Sequence, residues 1–255
     1  MRYDLTDFEW SVIEPLLPKD RRGRKPGNNR RVLNGIFWVL RAGAPWRDLP
    51  KRYGPYTTAY NRFNRWRKAG IWDRLMDAVV KAHDGKVQMI DSSIVRVHQH
   101  ASGVKKKKGG DRCVGRSRGG LTTKIHARVD AKGRPVRLMI TPGEAHDVTC
   151  AEALLDGLDA RAVVIADKGY DADRVRAHIR DQGAIPNIPN KSNRKKRFRW
   201  KKAIYRERNH VERFFNKLKQ FRRIATRYDK LGATFFAFVQ LASVRIWLRS
   251  IESTP

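Results

Sequence analysis

Two acids close apolar runs of this chain. The stretches VQMID and VVIAD are rich in β-branched and apolar residues, as strands are, and end on Asp91 and Asp167. A carboxylate placed there loses hydration at a cost on the order of kcal/mol unless something compensates. A divalent cation would compensate, and carboxylates suit the hard, oxygen-seeking ions Mg2+ and Mn2+. The carboxyl ends of strands are also where α/β sheets commonly place their sites. The plainer alternative is that each Asp caps a turn or the next helix. For Asp167 that alternative is concrete, because DKGYDAD follows, and Asp171 or Asp173 is better placed than Asp167 to cap the helix ADRVRAHI.

A third acid sits in YRERNHVERFFNKLKQFRR, residues 205–223, a basic segment whose acids are Glu207 and Glu212. At about 100° per residue, Tyr205, Arg208, Glu212 and Lys219 fall on one polar stripe of a helix. Ile204, Val211, Phe215 and Leu218 share a neighbouring apolar face that should pack on a sheet. Glu212 thus borders the buried face, within reach of a strand-end site, although an i,i+4 pair with Arg208 explains it equally well. Glu207 lies in the first turn, where an acid offsets the helix dipole.

The elements that must position these residues divide the chain. Up to about residue 84 it reads as helices. LTDFEWSVIEPLLP opens with the capping-box pair Thr6 and Glu9, RVLNGIFWVLRAG ends at Gly43, and TTAYNRFNRWRKAG and IWDRLMDAVVKAH follow. Short helices on tight turns resemble a helix-turn-helix unit. Within it, Arg62, Arg65 and Arg67 alternate with Tyr60, Phe63 and Trp66. The rings read first as core, and the arginines as phosphate contacts. Residues 85–255 read as an α/β domain of strands followed by strands and helices in alternation. KVQMIDSSIVRVH, TTKIHARVD and GRPVRLMITPG are strands, with the turn DAKG between the last two. Residues 99–120, with Lys105, Lys106, Lys107 and Lys108 at their centre, read as a basic loop for DNA contact. AIPNIPN suits a sheet edge. GATFFAFVQLASVRIWLRS is a helix apolar nearly all round, hence buried.

Composition narrows the partners. With 56 Lys and Arg against 25 Asp and Glu, the 255-residue chain carries a formal charge of +31. Such an excess answers to a polyanion, with nucleic acid the first candidate. No long apolar run or lipidation motif favours a membrane. Cys113 and Cys150 lack metal-site spacing and read as free thiols, and the N-terminus lacks the features of a signal peptide, so a cytoplasmic protein is expected.

Tyr205, Arg208, Glu212 and Lys219 match the Y-x2-R-x3-E-x6-K signature of bacterial insertion-sequence transposases with a DDE triad, and the chain resembles the group typified by insertion sequence five. MIDSSIVRVHQH is similar to that group's first Asp block and VIADKGYDADRVR to its second. DLTDFEWSVIEPLLP and GAPWRDLP are similar to its N-terminal helical module. The resemblance covers nearly the whole chain. It implies a ribonuclease-H-like mixed sheet flanked by helices, preceded by a small all-α module. It also implies that Asp91, Asp167 and Glu212 form a catalytic, metal-binding triad for two Mg2+ ions, with Mn2+ as substitute, about 3.5–4 Å apart. Arg208 and Lys219 would then meet phosphates and Tyr205 would pack or hydrogen-bond beside them. The implied partners are double-stranded DNA, as terminal inverted repeats and target, and further copies of the chain in a synaptic dimer or larger assembly near the bacterial nucleoid. His98, His100 and His126 lie near the first strands and read as structural before catalytic. His146 and Asp147 read as outer residues of the site. Two alternatives stand beside the transposase: a nuclease or resolvase of the same fold, and a non-catalytic DNA-binding protein derived from a transposase.

Overall fold

The computed structural model describes residues 3–18, 28–102 and 112–253. Its first helices are α1 (Asp7–Ile13), α2 (Asn29–Ala42), α3 (Tyr56–Lys68) and α4 (Ile71–Val80). Strand β1 (Val87–Val97), the helical turn α5 (Gln99–Ser102), and strands β2 (Gly115–Ser117), β3 (Gly120–Asp130) and β4 (Pro135–Pro142) follow. Then come α6 (Ala151–Leu155), β5 (Val163–Ile165), α7 (Asp173–Asp181), β6 (Ile185–Asn187), α8 (Lys202–Tyr205) and α9 (Asn209–Lys219). The chain closes with α10 (Arg222–Ala225) and α11 (Gly232–Glu252).

These elements form two compact units. One gathers Met1–Lys81, His98–Asp111 and Leu218–Pro255, the other Ala82–Val97 and Arg112–Lys217. The grouping departs from a linear division at residue 84. The reason lies in α11, whose apolar surface extends nearly all round and so needs cover on several sides. Within the first unit it finds that cover in the N-terminal helices. Phe238 stacks on Phe63 of α3 with centroids 4.4 Å apart, and Gln240 donates to Asp73 of α4 at 2.6 Å. Arg245 meets Glu9 of α1 at 2.6 Å, with both side chains buried.

Several local expectations are met in this unit. Thr6 and Glu9 form a reciprocal capping box, and α2 ends on Gly43 in the left-handed conformation. Gly70, at φ 66°, turns α3 into α4, the helix-turn-helix-like step. Phe63 and Trp66 are core residues, while Tyr60 is exposed.

The second unit is built on a mixed sheet in which β3 pairs antiparallel with β1, β2 and β4, and β1 pairs parallel with β5, which pairs parallel with β6. This is the sheet expected of a ribonuclease-H-like fold. A core of Ile90, Leu154, Leu155, Val164, Tyr170, Val175 and Ile179 joins it to α6 and α7. Two details differ from the sequence reading. The basic loop is not structureless throughout, since α5 and β2 lie within residues 99–120; Thr122 and Leu121 offer β2 a strand edge there. Asp91 is not the end of its strand, because β1 continues to Val97 against β3. What stops near Asp91 is the neighbour: β5 pairs with β1 only along Val87–Met89, so the acid lies just past the end of the parallel pairing.

Glu9 carries two jobs, since it also accepts from the Thr6 amide at 2.9 Å. Replacing it strands a buried guanidinium and breaks a helix cap. Glu9→Ala should therefore cost about 3–5 kcal/mol of stability, measured by urea denaturation against wild type. Arg249→Ala, whose side chain is 52% exposed beside the same acid, should cost less than about 1 kcal/mol.

Candidate active site

Every residue of the expected triad belongs to the sheet unit. Asp91 reaches the site from β1. Its Oδ1 accepts from the Ser92 amide at 2.8 Å and its Oδ2 from Arg208 Nη2 at 2.6 Å. The other guanidinium nitrogen, Nη1, donates to Glu212 Oε1 at 2.6 Å. Arg208 thus spans two acids that come from a strand and from a helix 117 or more residues later. Glu212 is exposed and Asp91 largely covered, with side-chain exposures of 54% and 15%.

Asp167 follows β5 and has a different local partner. Its Oδ1 accepts from the Gly169 amide at 2.8 Å and caps the 3-10 turn Lys168–Tyr170. Here the structure reverses the sequence expectation about caps. Neither Asp171 nor Asp173 caps α7 with its side chain. Asp171 is instead buried, taking Arg176 at 2.8 Å and the Lys191 amide at 2.8 Å. The signal was Arg176 five residues on, which a helix returns toward the turn before it.

Charges act on the groups around Arg208. Burial raises the pKa of Asp91 above its ordinary value; Arg208 opposes this, and Asp167 and Asp147 add to it. Burial also raises Tyr205, where Arg208 opposes the shift and Asp167, Asp91 and Glu212 reinforce it. For Arg208, burial works against the charge, but Asp91, Tyr205, Glu212 and Asp167 hold the pKa above its ordinary value. One cation therefore lies in the combined field of Asp91, Asp167 and Glu212.

The helix carrying Glu212 is not one continuous α-helix. Residues 206–208 form a 3-10 turn between α8 and α9. The regular helix begins where Val211, Phe214, Phe215 and Leu218 supply an apolar face, all of them buried. Its start abuts the β3–β4 turn. Gly133 there has φ 73°, and a Cβ on it would stand 2.8 Å from the His210 carbonyl oxygen. Glu207 pairs with His210 at 3.2 Å and stands apart from the Arg208 fork. Lys219 ends α9 on the first unit's side of the division, half-buried, with its pKa lowered by burial.

The remaining candidates separate cleanly. Arg62 is engaged with Asn29 and lies over the Trp66 ring, Arg65 is exposed, and Arg67 is half-buried. Lys105, Lys106, Lys107 and Lys108 lie outside the described residues. His98 stacks with His100 and Tyr228 in the first unit. His146 precedes the 3-10 turn Asp147–Cys150 as its cap residue. Neither Cys113 nor Cys150 is in a disulfide. Sequence reasoning missed Lys124, a lysine buried on β3 that meets Asp147 at 2.8 Å while Asp147 also accepts from Ser92 Oγ at 2.8 Å. Its signal was a lysine within the strand TTKIHARVD, where a long cationic side chain is poorly suited to burial.

Two family models match the chain. Residues 82–247 match the one described as Transposase DDE domain. The chain belongs to the DDE transposase family. Residues 5–76 match the model described as Putative transposase of IS4/5 family. Among relatives of this DDE-family chain, the putative transposase for insertion sequence element IS6501 of Brucella ovis is 45% identical over 142 residues. That alignment covers 51% of this chain and 100% of the relative. The putative transposase for insertion sequence element IS402 of Burkholderia cepacia is 32% identical over 130 residues, 47% of this chain and 59% of the relative. A solved piggyBac transposase synaptic complex with hairpin DNA aligns at 8% identity and a TM-score of 0.48, covering 97% of this chain and 78% of that one. No helix among the described residues is long and apolar enough to cross a membrane.

Among the described residues no three His, Cys, Asp or Glu side chains stand close enough to enclose an ion. The donor set nevertheless fits a hard cation: Asp91 and Glu212 offer oxygen ligands and already share one positive group, and Asp91 also feels the charge of Asp167.

His126 can be tested apart from these acids. It is fully buried on β3, with Nε2 2.8 Å from Thr141 Oγ1, and burial lowers its pKa from 6.5 to about 4. The folded state therefore holds it neutral while the unfolded chain protonates it below about pH 6.5. Its contribution to stability is present above that pH and is lost as the pH falls toward 4, by about 3 kcal/mol. His126→Gln should flatten the pH dependence of denaturation between pH 6.5 and 4 relative to wild type.

Proposed function

We propose that this DDE-family chain is the transposase of an insertion sequence, cutting and joining the ends of its element by divalent-metal-dependent phosphodiester chemistry. The observation that carries the reading is the Arg208 fork, 2.6 Å from both Asp91 and Glu212 in the field of Asp167. Two acids, from β1 and α9, hold one cation that also feels the charge of Asp167 past the end of β5, in a chain of charge +31. A protein that only bound DNA would gain nothing from such a cluster, because it repels phosphate.

In this reading Asp91, Asp167 and Glu212 hold Mg2+ or Mn2+. Bound there, two such ions would lower the pKa of the attacking hydroxyl and stabilise the leaving oxygen. Arg208 has two stations. Without divalent ions it neutralises Asp91 and Glu212. When these acids turn to a metal, its guanidinium is released toward a DNA phosphate, which its planar fork suits. Tyr205, three residues earlier, shares the same field and would pack or hydrogen-bond beside that phosphate, with Lys219 contacting the backbone further along. Arg62, Arg65 and Arg67 of the N-terminal helices supply phosphate contacts during end recognition, as would Lys105 to Lys108. Bringing two ends together requires at least a dimer.

The test is cleavage of a labelled duplex made from the inverted repeats that flank the gene. Wild type should cleave with Mg2+ or Mn2+ and not with EDTA. Asp91→Asn, Asp167→Asn and Glu212→Gln should each lower the rate by at least about 100-fold. Undiminished cleavage by any of the three would remove that residue from the triad. Products that are nicked but never joined to a target would mark a nuclease or resolvase instead.

A further inference from the structure

A second positive feature leads into the site. From Gln182 to Arg206 the chain contains no acid, while Lys191, Arg194, Lys195, Lys196, Arg197, Arg199, Lys201 and Lys202 crowd its second half. A run of this kind is ordinarily a solvated, mobile strand of charge. Here it is fastened at Phe198 and Lys201 by asparagine side chains. Asn187 Oδ1 accepts from the Lys201 amide at 2.7 Å and its Nδ2 donates to the Lys201 carbonyl at 3.2 Å. Asn190 does the same with Phe198, both contacts at 2.9 Å. The two asparagines are three residues apart, and so are their partners in reverse order. The segment thus folds back antiparallel on the end of β6, with side-chain amides taking the place of backbone rungs.

The base of this hairpin is filled by Phe198. Its ring lies under Arg176, Arg194 and Arg180, with guanidinium carbons 4.6, 4.7 and 5.0 Å from the centroid. Nearby acids are already taken: Asp171 holds Arg176 and Arg194, and Asp173 holds Arg194. Lys195, Lys196, Arg197 and Arg199 are exposed, and among the described residues no ion pair engages them. The segment then runs directly into α8, where Trp200 packs edge-on against Tyr205 at 5.5 Å. Fixed backbone, unneutralised cations and continuity with Tyr205 and Arg208 are the features of a built polyanion track.

We propose that residues 191–202 form a preformed track for the phosphate backbone of duplex DNA beside the scissile bond, fixed by Asn187, Asn190 and Phe198. The inference rests on the transposase reading and assigns that site a further DNA contact surface. Because the asparagine contacts already hold the hairpin, little entropy is lost when it binds.

The experiment measures duplex binding by fluorescence anisotropy over a range of salt concentrations. Full-length wild type is compared with the variant Lys195→Gln/Lys196→Gln/Arg197→Gln/Arg199→Gln. A charge-matched control carries Arg74→Gln/Lys81→Gln/Lys86→Gln/Lys132→Gln, all exposed positions elsewhere. Each lost phosphate contact lowers the slope of log K against log salt by about 0.9. The track variant should lose roughly 2–4 from that slope, and the control should keep the wild-type slope. Equal slopes for the two variants would overturn the proposal, since net charge alone would then govern binding. Divalent-dependent cleavage by wild type is scored separately, so its absence would count against the transposase reading and equal slopes against the track.

Discussion

The Arg208 guanidinium is the hinge of this structure. It spans Asp91 on the sheet and Glu212 on α9, and both contacts are short. Without it, the Asp91 and Glu212 carboxylates would stand unneutralised near one another, with the charge of Asp167 also acting on Asp91, a repulsive arrangement. The raised pKa of Asp91 records that tension, since burial and the neighbouring acids push it up while Arg208 pulls it down. Such a site is stable with a cation and strained without one. An arginine that supplies the charge lets both acids stay ionised side by side.

The rest of the sheet unit serves that arrangement. The short β5 leaves β1 without a parallel partner beyond Met89, which opens room beside Asp91 without ending the strand. The close approach of Gly133 to the His210 carbonyl sets where α9 begins. Positive charge is placed unevenly: the stretch before α8 is free of acids, whereas the acids nearest it are spent on Arg176 and Arg194. Cation and anion are thus sorted along the chain, with carboxylates at Arg208 and cations in the stretch that leads into α8.

Much of this was legible from local patterns. The Thr6 and Glu9 pair and the Gly43 stop are local rules that the elements obey, and TTKIHARVD is a strand as its composition suggests. The stripe of Tyr205, Arg208 and Glu212 was legible too, as was the i,i+4 pair that makes Arg208 and Glu212 neighbours. What escaped depended on distant partners. Whether Asp91 ends a strand is decided by the antiparallel pairing of β1 with β3, and no feature of VQMID reports that partner. Asp171 looked like a cap because its burial depends on Arg176 and on the amide of Lys191, twenty residues on. The grouping of α11 with the N-terminal helices follows from who covers an all-round apolar helix, and its own sequence names no partner.

The claim at the centre of this account is that Asp91, Asp167 and Glu212 together hold divalent cations. Mn2+ binding followed by electron paramagnetic resonance reads that directly, with no dependence on turnover or on DNA. Wild type should bind Mn2+ competitively with Mg2+, and Asp91→Asn should lose that binding while remaining folded by circular dichroism. Equal Mn2+ affinity in wild type and Asp91→Asn would contradict the account.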